Sequence, residues 1–210
     1  MPPFLRHRGE QGLAALLRTP RSLDDQLRAI LRAGAGTRLA VLVPMVTSLD
    51  EVAQVRAALA KAAAEVGAEA GTPQLGIMVE VAATAAAAAE FADAVDFFSI
   101  GTNDLASEVL GLDRADPRTR PALAADPRVL TLIGDVVRAA RPAGVRVSVC
   151  GDAAADPLVL PLLLGLGVRT LSVGAARVPP VADWIAGIDT TAAARQAAGI
   201  LADGRDQVNR

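Results

Sequence analysis

The stretch Val95-Asp96-Phe97-Phe98-Ser99-Ile100-Gly101-Thr102-Asn103-Asp104-Leu105 decides how the rest of this chain is read. A short apolar run feeds a turn of small residues and stops at an amide beside a carboxylate. Two further runs behave the same way. Leu75-Gly76-Ile77-Met78-Val79 delivers Glu80, and Val145-Arg146-Val147-Ser148-Val149 delivers Cys150-Gly151-Asp152. Parallel strands of an α/β enzyme carry their chemistry at their carboxyl ends, so three apolar runs each ending in reactive groups predict that class.

Outward from these runs, helix and strand alternate. Ser22 opens a helix through about Ala33, Leu39 to Met45 reads as a strand, and Ser48 or Asp50 starts a helix to about Val66. Ala82 to Ala89 is a strong helix former. The polar segment from Asn103 to about Arg128 reads as a long functional loop that can include a short helical piece. Later helices are expected over Pro127 to Arg141, from Pro157, from Pro179-Pro180, and from Thr190 towards Ala202, with strand Arg169 to Val173 among them. The result is an incomplete (β/α)8 barrel of about five parallel strands, where a closed barrel has eight. Residues 1–203 form the expected partial barrel domain and 204–210 a polar, fraying tail.

Composition narrows the function classes. The chain has 210 residues, 52% of them hydrophobic, but aromatics reach only 2% and tyrosine is absent, so Ala, Leu and Val must fill the core. A net charge of −2 gives no footprint for nucleic acid. The single cysteine excludes an internal disulfide and fits a reducing cytoplasm. No apolar run reaches membrane-spanning length, and no membrane partner is expected.

The motifs also resemble a known family, the phosphoenolpyruvate-utilising enzymes, and most closely the barrel of phosphoenolpyruvate–protein phosphotransferase (enzyme I of the bacterial sugar phosphotransferase system). The similar stretches run in order from about Pro3 to Ala186. They are Asp25 to Ala33, Val43-Pro44-Met45, Gly76-Ile77-Met78-Val79-Glu80, Asp96 to Leu105, Asp113-Arg114, Cys150-Gly151 and Leu162 to Gly167. The resemblance implies a barrel truncated on its N-terminal side, lacking three strands and the phosphohistidine domain. It implies Mg²⁺ held by Glu80 and Asp104, phosphoenolpyruvate held through its phosphate by Asn103 and Arg114, and Cys150 as the acid that protonates the enolate. It also implies partners: a phosphoacceptor histidine protein or a complementing chain, in a homodimer or hetero-complex.

Several positions depart from the family pattern. Its phosphate-binding Gly-x-Arg-Gly falls on Gly9-Glu10-Gln11-Gly12 when compared without gaps, or brings Arg8 into the arginine position after a three-residue shift. Val81-Ala82-Ala83 replaces Thr-Pro-Ala, Ala106-Ser107-Glu108 replaces Thr-Gln-Tyr, and Asp152 stands where the family has Glu. The only histidine, His7, does not match the phosphoacceptor motif and reads as a surface residue. Three readings follow: a split phosphotransferase barrel, a magnesium-dependent aldolase or lyase acting on pyruvate-type enolates, and a catalytically dead binding relative.

Overall fold

The structure is a computed structural model that describes residues 12–67, 71–113 and 119–208, with side chains up to residue 202. Five strands form one sheet: β1 (Ala40–Val43), β2 (Gln74–Val79), β3 (Phe97–Gly101), β4 (Arg146–Cys150) and β5 (Thr170–Leu171). All neighbours are parallel and their order follows the chain, β1-β2-β3-β4-β5. Parallel neighbours need a crossover between them, and repeated crossovers of one hand with no change of direction generate a barrel wall. The described residues therefore form an incomplete barrel with five strands.

Side-chain alternation divides the sheet into two faces. Val41, Val43, Leu75, Ile77, Val79, Phe98, Ile100 and Val149 point one way and are buried in a single large core. Gly76, Phe97 and Arg146 share a row on the other face. So do Met78, Ser99, Ser148 and Thr170. There Arg146 lies 5.9 Å from the centre of the Phe97 ring and donates to Gln74 Oε1 at 2.5 Å.

The helices follow from local chemistry. Helices α1 (Leu13–Leu17) and α2 (Pro20–Ala33) come first, and α2 starts on Pro20 rather than at the expected Ser22. Proline at the first helical position loses no hydrogen bond and has its φ preset. The Leu23, Leu27 and Leu31 stripe of α2 is buried. Helix α3 (Leu49–Val66) opens on a full capping box: Glu51 N–H donates to Ser48 Oγ, and Ser48 N–H donates to Glu51 Oε2. Arg28–Glu65 and Lys61–Asp24, both at 2.6 Å, tie α2 to α3. The alanine-rich stretch forms two short helices, α4 (Ala82–Ala86) and α5 (Ala88–Ala92), broken at Ala87. Propensity sets helicity there but not direction; the break accompanies burial of Ala85, Ala88, Phe91 and Ala92.

The segment after β3 is more helical than the expected loop with its short helical piece. It begins with helix α6 (Thr102–Leu110), ended by Gly111 in the left-handed conformation at φ 65°. The polar composition concealed a helix whose Leu105 and Ala106 are buried. A 3-10 turn spans Pro121–Ala125, and Asp126 then caps α7 (Pro127–Ala140) by accepting from Arg128 N–H at 2.9 Å. Helices α8 (Leu160–Gly165), α9 (Val178–Ala186) and α10 (Thr190–Val208) complete the described chain. Helix α10 continues past Ala202 into the expected tail, since propagation from an alanine-rich helix adds a bond per residue.

Candidate active site

The carboxyl ends of β2, β3 and β4 form one rim. Register pairs Val79 with Ile100 and Gly101 with Cys150, so Glu80, Gly101 and Cys150 continue one lateral row on the less covered face. Glu80 is only 4% exposed. Its Oε1 accepts from Met45 N–H at 2.7 Å. Met45 is the one non-glycine residue with positive φ among those described, at 55°. Such a backbone is rare outside glycine and turns, and here it comes with an N–H donated to a buried carboxylate. Thr84 Oγ1 donates to Val46 O at 2.7 Å, a second tie between the end of β1 and the segment after β2.

Gly101 is a site residue that sequence reasoning missed. A Cβ there would lie 2.9 Å from Glu80 Cβ and 3.0 Å from Glu80 Oε2. The absence of a side chain is what leaves room for the carboxylate. Asp104 follows in the first turn of α6, half-buried, at the end of the strand next to β2. Glu80, buried with one oxygen already engaged, and Asp104 thus follow neighbouring strands, and a carboxylate pair is a hard-oxygen donor set. That chemistry fits Mg²⁺, which takes one or two carboxylates and completes its shell with water and substrate oxygens. Among the described residues no three His, Cys, Asp or Glu side chains gather into a larger metal cage.

Asn103 is engaged in a way the sequence did not signal. Its Nδ2 donates to Asp152 Oδ2 at 3.0 Å, and Asp152 N–H donates back to Asn103 Oδ1 at 3.0 Å. Gly151 makes this approach possible. At φ 93°, any Cβ there would fall 2.5 Å from Thr102 Oγ1 and 2.8 Å from Asn103 Oδ1. Thr102 Oγ1 also donates to Cys150 O at 2.9 Å, so the ends of β3 and β4 are cross-tied by side chains. Cys150 is half-buried, on the face shared with Gly101. Arg114, together with His7, Arg8 and Gln11, lies outside the described residues.

Among the described residues, two openings adjoin the rim. A crevice of 240 Å³ is lined by Thr102, Asn103, Ala106, Arg120, Pro121 and Asp152. A larger one of 580 Å³ is bounded by Gly151, Asp156, Ser172, Arg177 and Trp184. Arg120 and Arg177 are cations at these walls that motif reading passed over, because neither stands in a recognisable pattern. Helix α6 is braced from its other side as well, since Glu108 accepts from Ala82 N–H, the first amide of α4, at 2.9 Å.

Known proteins resemble this chain in sequence and in fold. A multiphosphoryl transfer protein of Xanthomonas campestris pv. campestris is 44% identical over 183 residues, covering 85% of this chain and 21% of the relative. A phosphoenolpyruvate-protein phosphotransferase of Haloferax volcanii is 40% identical over 207 residues, covering 95% of this chain and 36% of the relative. The chain thus spans about a fifth to a third of the length of these relatives. Among solved structures, a citrate lyase of Burkholderia xenovorans LB400 aligns with a TM-score of 0.62 at 21% identity. It covers 79% of this chain and 54% of its own, a likeness of fold alone. The profile of the PEP-binding domain of PEP-utilising enzymes matches residues 1–190, and the chain belongs to that family.

Proposed function

We propose that this chain provides the phosphoenolpyruvate site of a Mg²⁺-dependent phosphotransferase that passes the phosphoryl group to a histidine of another domain or protein. The observation that carries the reading is the row Glu80–Gly101–Cys150 with Asn103 and Asp104 beside it, in a chain of the PEP-utilising family. Glu80 and Asp104 would hold the metal. Magnesium, when bound, supplies positive charge to the oxygens on which negative charge builds as the phosphoryl group departs. Asn103 donates its remaining Nδ2–H to a phosphoryl oxygen, and Arg114 adds a guanidinium. The ester P–O bond breaks, the acceptor nitrogen takes the phosphoryl group, and the enolate is left. Cys150 Sγ–H gives its proton to the enolate carbon, forming pyruvate, and the thiolate recovers a proton from water.

Among the described residues, strands β1 and β5 each leave one edge of the sheet without a neighbouring strand. Such edges, and a less covered inner face that includes Leu42 at 36% exposure, call for further strands or a second chain. We place the histidine-bearing acceptor and the complementing strands in a partner, or in a homodimer, of cytoplasmic location. Sedimentation at several concentrations tests this part: a monomer at every concentration, with unaltered stability when candidate partners are added, rejects it.

Calorimetric titration of phosphoenolpyruvate with and without Mg²⁺ tests the site. Binding should require the metal, and Asp104→Ala should abolish it. Metal-dependent binding that survives Asp104→Ala would remove the carboxylate pair from the mechanism.

A further inference from the structure

From the paired bonds at Asn103 we infer that Asp152 is a positioning residue that fixes which end of the Asn103 carboxamide faces the ligand. The inference rests on the proposed role of Asn103 in phosphate binding. The oxygen and nitrogen of a carboxamide are nearly the same size, so packing alone selects poorly between its two orientations. Hydrogen-bond partners select well when one can only donate and the other only accept. Asp152 presents both kinds. Its backbone N–H can only donate and meets Oδ1 at 3.0 Å, while its ionised carboxylate can only accept and meets Nδ2 at 3.0 Å. Rotating the amide by half a turn would set N–H against N–H and oxygen against carboxylate oxygen.

The consequence is directional. With one Nδ2 proton on the carboxylate and one Oδ1 lone pair taken by the Asp152 N–H, the donor that the carboxamide keeps for a ligand is the second Nδ2–H. Asn103 thereby offers that N–H to acceptors such as phosphoryl oxygens. Asn103 and Asp152 both line the 240 Å³ crevice, with Arg120 on its wall. Gly151 belongs to the device, because any Cβ at that position would enter the space of the Asn103 carbonyl oxygen. The residues are 49 apart in sequence, joined only through the rim of β3 and β4.

The test uses Asp152→Ala, Asp152→Asn and the conservative Asp152→Glu. The first readout is the Asn103 side-chain NH₂ pair in nitrogen-15 NMR of the ligand-free protein. The second is phosphoenolpyruvate affinity in the presence of Mg²⁺. Removing the carboxylate should shift and sharpen towards solvent values the Asn103 NH₂ signals and weaken phosphoenolpyruvate binding about tenfold, the worth of one charge-assisted bond. Asp152→Asn should weaken it less, and Asp152→Glu should recover part of the loss, with circular dichroism confirming that each variant folds. Unchanged Asn103 signals in Asp152→Ala would overturn the inference, as would unchanged affinity alongside shifted signals. If wild-type protein binds no phosphoenolpyruvate, the functional reading fails and the NMR readout alone decides whether Asp152 orients the amide.

Discussion

On the helix-covered face of the sheet, Leu75, Ile77, Val79, Phe98, Ile100 and Val149 are almost completely buried. Across the same strands Leu42 is 36% exposed, and Gln74, Arg146 and Thr170 stand in solvent. One backbone ladder serves both faces, so the difference comes from what covers each. The covered face carries the free energy of folding. The open face and its rim carry polar groups, a buried carboxylate and the approach routes to them. Stability and chemistry are thus separated by the two-residue period of the strand.

The sharpest test of that separation is a pair of adjacent phenylalanines. Phe98 is fully buried against the helices, and its replacement by alanine should cost about 3–5 kcal/mol in urea unfolding. Phe97, one residue earlier and on the other face, is half-buried, and the same change should cost roughly half as much or less. Equal losses would show that the open face is covered in solution, and the comparison would break.

At the rim, Gly101→Ala should affect both stability and site. The new Cβ would be 2.9 Å from Glu80 Cβ, and relieving that overlap should cost about 1–3 kcal/mol. Because Glu80 must move, metal-dependent ligand binding should fall together with the melting temperature. A stable Gly101→Ala protein with unchanged binding would detach Glu80 from the site.

The caps of the helices on the covered face should matter less, and in a pH-dependent way. The Asp126 carboxyl is held below its ordinary value, chiefly by the side-chain bond from Arg128, with burial opposing. A lowered folded-state value means the stabilisation is fully present above the ordinary aspartate value of about 3.9 and is lost as pH falls through the native value. Asp126→Ala should therefore cost about 1 kcal/mol at neutral pH, with the difference from wild type shrinking on the acid limb. A constant difference across that range would assign the loss to packing.

The smallest expected effect has the opposite sign. Ser107 on α6 is 6% exposed, and its Oγ is the one buried side-chain polar atom without a hydrogen-bond partner among the described residues. Ser107→Ala should stabilise the protein by up to about 1 kcal/mol, because no bond is lost and an unmet hydroxyl is removed. A loss of stability instead would mean that Ser107 has a partner in solution.

Much of this arrangement was legible in the sequence, and the reason is local. The helix start at Ser48 or Asp50, and apolar runs ending in Glu80 and Cys150, depend on residues a few positions apart. Strand ends were harder: β1 stops at Val43 rather than Met45, and β5 is reduced to Thr170–Leu171, because pairing with a neighbour sets those limits. Helix α6 was hidden by its polarity, although Gly111 was a usable stop signal. The Asn103–Asp152 pair could not be read at all. It joins residues from separate strand ends, and only the parallel register of β3 and β4 brings them together.

Trp184 gives the molecule an optical property. It is the only tryptophan, and there is no tyrosine to share the emission. Trp184 lines the 580 Å³ opening with Ser172 and packs next to Leu160, Leu164 and Val181, on the flank of the molecule that holds the end of β5. Native fluorescence from this protein therefore originates at a single place. Polarity changes at that flank, whether from an added strand or from a guest in the cleft, will register as a spectral shift without any label. The same light reports little of events around Val41 at the opposite edge of the sheet.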